Sequence, residues 1–313
     1  MKTRLIVFFG LVLNLNVNGQ ELRLFSIESR DLRTENAESK GFISLSDIDR
    51  LSDHPDSTAL PDLSPAGNAG KESFEYMELE GEYRSRFFSR TGISETERVF
   101  IYSYSEDKLV SMAVSDLKVV AWLNFYMSYR DCPCPDYYYQ IGFVIENEFL
   151  QGFENYDTNS LVSVGEKNPF VRNQVEPIVW QKIDSTQFPR NLTVLEPENI
   201  TQNQDNTENF GHSYLFENED YRFFIREHYE RDQRFWLRLL ILDLESDERV
   251  FEKIFYAGES ATFAPRDNQW AGHLFKDQPM VIFGFQYHSF WCPIIDFVDF
   301  EKDGIRINCD NRH

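Results

Sequence analysis

From Arg98 onward the chain returns again and again to short runs of β-branched and aromatic residues, divided by acidic or polar turns. Val99-Phe-Ile-Tyr-Ser-Tyr is the first run, and Glu106-Asp107 separates it from Leu109-Val-Ser-Met-Ala-Val. After Asp116 comes Val119-Val-Ala-Trp-Leu-Asn-Phe-Tyr-Met-Ser-Tyr. Tyr137, Tyr139, Ile141, Phe143 and Ile145 then alternate with Tyr138, Gln140 and Gly142. A period of two is the mark of a half-buried strand. Strands at such short intervals predict antiparallel neighbours rather than βαβ units. The expected fold is all-β, a mostly antiparallel sandwich-like or meander domain, with residues 98–145 as one four-strand meander. A small β-propeller is the alternative, since sets of four strands recur loosely without a fixed period.

The second half repeats the pattern. Leu161-Val-Ser-Val and the run from Pro177 to Ile183 are weak strand candidates. Residues 184–212 turn polar, and a connection of that length is either functional or a boundary. This surface loop contains two glycosylation acceptor triplets, Asn191-Leu192-Thr193 and Asn199-Ile200-Thr201. Tyr221, Phe223 and Ile225 resume the alternation. Arg234 to Leu244 reads as a buried strand, and Val250–Tyr256, Met280–Tyr287 and Ile294–Phe300 continue it.

The N-terminus has the parts of a secretory leader. Lys2 and Arg4 are its positive end, Leu5 to Leu13 its apolar stretch, and Val17 and Gly19 its small residues before a cut after Gly19. That stretch is too short to cross a bilayer, and no later run spans a membrane. Residues 20–75 are expected to be a disordered acidic linker, because Asp, Ser and Pro dominate and few rings are available to bury. A single β-rich domain then occupies 76–313. The chain carries 31 basic and 52 acidic residues, a net charge of -21. Such a surface repels phosphate backbones and excludes nucleic acid bound through a basic footprint. The expected setting is secreted or periplasmic.

The four cysteines pose a geometric question. Asp303-Gly304 between alternating apolar runs is a hairpin signal. With Phe300 opposite Ile305 or Ile307, Cys309 falls opposite Asp296 or Val298. At roughly 3.4 Å per residue that is about 13–20 Å from Cys292, whereas a disulfide needs Cα atoms within about 7 Å. This register leaves two arrangements. Cys132 and Cys134 each bond one late cysteine, or they bond each other in a small ring. If the hairpin fails, Cys292 bonds Cys309. Zinc is a poor match for one residue between Cys132 and Cys134, and no metal or cofactor is expected.

No catalytic constellation stands out. Gly258-Glu-Ser260-Ala-Thr lacks the last glycine of a nucleophile elbow and the helix that should follow it. His228 and Glu230 share a strand face, but no third ligand is placed by spacing. Asp296, Asp299, Glu301 and Asp303 do not follow the calcium-loop order. The expectation is therefore a non-catalytic binding or structural protein with an extracellular ligand, glycan or protein. The alternative is an extracellular hydrolase of carbohydrate or peptide, using a carboxylate pair assembled in space.

Overall fold

The computed structural model describes residues 22–31, 39–45, 76–124, 127, 138–195, 210–230, 233–256, 268–289 and 292–309. These residues build several antiparallel sheets, none of them closed. The first sheet runs β1 (Leu24–Phe25), β9 (Ser160–Gly165), β5 (Arg98–Ser103), β6 (Lys108–Ala113). The second runs β2 (Glu28–Arg30), β3 (Lys40–Ser44), β8 (Tyr139–Ile145), β7 (Lys118–Leu123), β4 (Tyr76–Glu78). The third runs β10 (Val175–Pro177), β16 (Trp270–Gly272), β17 (Val281–Ser289), β18 (Cys292–Phe297), β19 (Ile305–Arg306). The fourth is a simple meander of β11 (Gln181–Ile183), β12 (Phe210–Glu217), β13 (Tyr221–Glu230), β14 (Gln233–Asp243) and β15 (Arg249–Tyr256).

Alternation along each strand lets a sheet bury both faces, and the sheets stack as layers. Val99, Ile101, Val162 and Val164 of the first sheet meet Ile43, Val119, Ala121, Ile141 and Phe143 of the second. On its other face Leu24, Phe100, Tyr102 and Leu161 meet Phe283, Ile295 and Phe297 of the third. The third sheet's reverse face, with Ala271, Ile282 and Phe285, covers Phe223, Ile225, Leu239 and Ile241 of the fourth. A strand buried on both sides reads as a near-continuous apolar run, which is why Val99–Tyr102 contains no polar residue. Among the described residues one helix of substance, α1 (Gly81–Thr91), sets Phe87 and Phe88 against Phe143. It stops at Gly92, whose left-handed backbone (φ 67°) turns its N–H onto the Phe88 carbonyl at 3.0 Å.

The fold class is as the alternation predicts, but four particulars differ. First, 98–145 is not one meander. β5 and β6 form a hairpin in the first sheet and β7 and β8 another in the second, with a 3-10 turn at Val114–Asp116 between them. Because β9 then returns to pair with β5, sheets interleave along the chain, unlike the consecutive blades of a propeller. Second, part of the expected linker is core. Leu24, Phe25, Ile27, Phe42 and Ile43 are all buried. Each lies in a strand or bend too short to bury itself, so the stabilisation comes from strands laid onto existing sheet edges, which composition averaged over 20–75 conceals. Residues 46–75 and the expected leader 1–19 lie outside the described residues.

Third, Cys292 bonds Cys309, with Cα atoms 5.7 Å apart. The hairpin is real, but Ile294 pairs with Arg306 and Ile295 with Ile305. Residues 298–304 form a wide connection held by Asp299, whose carboxylate accepts the Glu301 N–H at 2.9 Å. Gly304 is not left-handed. It serves close approach, since a Cβ there would lie 2.7 Å from Asp296 Oδ1 and 3.0 Å from Ile294 Cγ2. The turn signal was therefore a packing signal, and the true register brings Cys309 beside Cys292. Cys132 and Cys134 lie outside the described residues. Fourth, the polar loop is only partly a loop, because Phe210–His212 already belong to β12 and Phe188 is buried.

The two ends of the described chain meet. Asn308 donates its backbone N–H to the Leu24 carbonyl at 2.8 Å, and Ser26 donates to the Asn308 carbonyl at 3.1 Å. A parallel bridge, Phe25 to Asn308, thus joins the first and third sheets.

Candidate functional site

The outer face of the fourth sheet is the most unusual chemical surface among the described residues. Phe224, Leu240 and Leu242 point there, and so do Arg226, His228, Arg238 and Glu252. The segment 184–195 straps across them. Its first turn is a capping box. Asp184 accepts the Thr186 N–H at 2.8 Å while Gln187 accepts the Asp184 N–H at 3.0 Å. The Thr186 hydroxyl and N–H hold the Asp184 carboxyl below the usual range. Phe188 then inserts against Phe224, Leu240 and Leu242, with the Arg226 guanidinium 5.2 Å from its ring centre.

Beneath the strap, Arg226 lies directly opposite Arg238 across β13 and β14. Like charges facing each other are unfavourable, and both side chains are buried. Glu252 answers part of this charge. It accepts Arg238 at 2.6 Å and Arg249 at 3.2 Å, and the same carboxylate receives the Val194 N–H at 2.9 Å. Arg238 donates to the Leu195 carbonyl at 2.9 Å and Arg249 to that of Leu192 at 3.3 Å. The strap's backbone is therefore fastened by an ion-pair network, while its Val194 and Leu195 side chains turn outward, 61% and 39% exposed. The next exposed ring is Phe300, 56% exposed. It stacks on Phe251 at 6.1 Å and lies under the Arg249 guanidinium at 5.4 Å. Arg249 thus lies between the strap, where it reaches the Leu192 carbonyl and the Glu252 carboxylate that holds Val194, and the exposed Phe300 ring.

His228 stacks on Trp236 with ring centres 3.1 Å apart. Burial, then Arg238, Arg226 and Arg190, push its imidazole down to about 2, so it is neutral at any ordinary pH. The β13–β14 register shifts after His228, and the side chain of Glu230 lies outside the described residues.

A second polar cluster is structural. Asp107, at φ 51° in the β5–β6 turn, accepts the Asn173 N–H at 2.7 Å, the Tyr102 hydroxyl at 3.1 Å and Arg172 at 3.1 Å. Burial raises the Asp107 carboxyl, but these donors outweigh it and the net shift is downward. Tyr102 is pushed up to about 12 by burial and by Asp107. Every group here is spent on holding residues 172–173 to the turn.

The remaining sequence candidates are scattered. Asp296 pairs with Lys253 at 2.6 Å between the third and fourth sheets, and Asp299 caps the wide turn, so neither belongs to a calcium loop. Tyr139 is core and Tyr138 packs beside it. Asn191 is exposed on the strap. Asn199 and the Gly258–Thr262 motif lie outside the described residues. Among the described residues no group of three or more His, Cys, Asp or Glu could hold a metal. Sequence reading missed Glu252, Arg249 and Phe300. Glu252 sits at a polar position of an alternating strand and looks like an ordinary surface residue, and only the strap reveals its burial. Comparison with known proteins finds no matching family model, no matching curated protein and no matching solved structure.

Proposed function

We propose that this is an exported, non-catalytic binding protein that docks an extracellular protein at the strap edge. The observation that carries the reading is the patch of Val194, Leu195 and Phe300 around Arg249. Exposed aromatic and aliphatic side chains beside an arginine have the composition of interface hot spots. Aliphatic Val194 and Leu195 suit apolar side chains better than sugar rings, which stack on flat aromatic platforms. A cation at the patch centre, on a chain of net charge -21, favours a partner that presents carboxylates among apolar residues. At long range the net charge still opposes an acidic partner, so such carboxylates would act at contact with Arg249. The leader-like residues 1–19 support export.

The test uses the full chain against arrayed peptides in which Asp or Glu alternate with Leu and Phe, with Lys-substituted counterparts and a panel of oligosaccharides. Acidic–apolar peptides should bind, and Phe300→Ala and Val194→Asp should each weaken binding at least tenfold with the melting temperature unchanged. Val194 is exposed, and Phe300, which stacks on Phe251, is itself more than half exposed, so the fold survives both changes. Equal binding by the variants, or retention of oligosaccharides alone, overturns the proposal. Cleavage of either probe would establish the hydrolase instead.

A further inference from the structure

We propose that Asn191 is a site of N-linked glycosylation, carrying its oligosaccharide on the outside of the strap. The sequence offers two acceptor triplets, and the structure separates out the first of them. Asn191 lies in the middle of the 3-10 turn Arg190–Leu192. The turn is closed by the Leu192 N–H on the Pro189 carbonyl at 3.1 Å and the Thr193 N–H on the Arg190 carbonyl at 3.3 Å. Phe188 before it and Leu192 after it face the protein. Phe188 is inserted into the outer face of the fourth sheet, Leu192 packs against that cluster, and the Leu192 carbonyl accepts Arg249. Asn191 takes the opposite direction and is exposed. The Thr193 hydroxyl donates back to the Arg190 carbonyl at 2.8 Å, so the two residues of the triplet that matter lie on one turn at the surface. This is the placement that an acceptor triplet in an exported chain calls for.

The transfer balances with one co-reactant, an oligosaccharide joined to a lipid through pyrophosphate. The Asn191 Nδ2 bonds to the anomeric carbon, the carbon–oxygen bond to pyrophosphate breaks, the amide gives up one proton, and the lipid pyrophosphate leaves. No contact of the strap is lost, because none of the hydrogen bonds that fasten it uses the Asn191 side chain among the described residues. The site stands whether or not the strap edge docks a partner.

The experiment translates the full chain in the presence of endoplasmic-reticulum microsomes, in an Asn199→Gln background. One version keeps residues 1–19 and a second replaces them with a proven cleavable leader. Protease protection reports translocation. The protected chain should show one endoglycosidase-sensitive mobility step, lost in Asn191→Gln and in Thr193→Ala and kept in Thr193→Ser. A protected chain with no step overturns the proposal, as does a step that survives Asn191→Gln. The site rests on the export reading, so if only the version with the proven leader is protected and shifted, the triplet is an accessible acceptor but the natural chain is not modified, and it is the export reading that fails.

Discussion

Arg226 and Arg238 face each other across two strands under a cover of protein, and His228 beside them shows what that field does. An imidazole held down to about 2 by burial and by Arg238, Arg226 and Arg190 stays neutral in the folded chain, while the unfolded chain takes up its proton near the ordinary value of about 6.5. Between those values the unfolded state binds more protons, so stability rises with pH there. The contribution is complete above about pH 6.5 and is lost as the pH falls toward 2, by at most about 1.4 kcal/mol per pH unit. His228→Phe keeps a ring on Trp236 but removes the proton. Urea unfolding at pH 7 and pH 4.5 should therefore show a smaller difference in the variant than in the parent chain, and an equal difference would remove His228 from the account. Little of this is legible in the sequence. Arg226 and Arg238 occupy alternate positions of strands whose other face is apolar, which is the pattern of a solvated surface. What inverts that meaning is the strap, whose sequence shows little beyond Phe188 and Leu192 among polar neighbours to say that it packs there.

The last hairpin shows the same division at the scale of an element. Its strands were legible, because Ile294 to Phe297 and Ile305 alternate in apolar character. Their register was not, because Asp303-Gly304 resembles a tight turn while Gly304 is needed where backbone approaches Asp296 and Ile294. A shift of register moved Cys309 from beyond reach to beside Cys292. The bond closes a short segment, 17 residues apart in sequence, and constrains the unfolded chain accordingly. Replacing both cysteines with serine should cost about 3 kcal/mol in urea unfolding, the value for a loop near that size. Non-reducing peptide mapping should recover Cys292 joined to Cys309. Recovery of either one joined to Cys132 or Cys134 would overturn the pairing. The short strands β1 to β3 escaped sequence reading for a related reason. Two to five residues hold no period, and their burial is conferred by the edge they join.

Across the whole molecule, stacked sheets share three successive apolar seams, with the first sheet packed on both sides. Leu24 lies in the seam between the first and third sheets and is fully buried. Leu24→Ala should lower stability by about 2–5 kcal/mol and should do so in a single transition seen equally by ring fluorescence and far-ultraviolet dichroism. Two separated transitions would show that the layers unfold independently. The alternation of the chain announced the sheets. It could not announce their order, because which hairpin faces which depends on β9 returning to β5 after β7 and β8 have gone elsewhere.

The pairing of Leu24 with Asn308, 284 residues away, has a consequence for how the protein is made. During synthesis β1 waits for a partner that is made 284 residues later. Until then the side of β1 away from β9 presents open hydrogen-bonding groups, the state in which β proteins join their neighbours instead of themselves. The chain cannot finish folding domain by domain as it emerges. Association with a neighbour competes until residue 308 is made, and the clasp there closes the open backbone of β1.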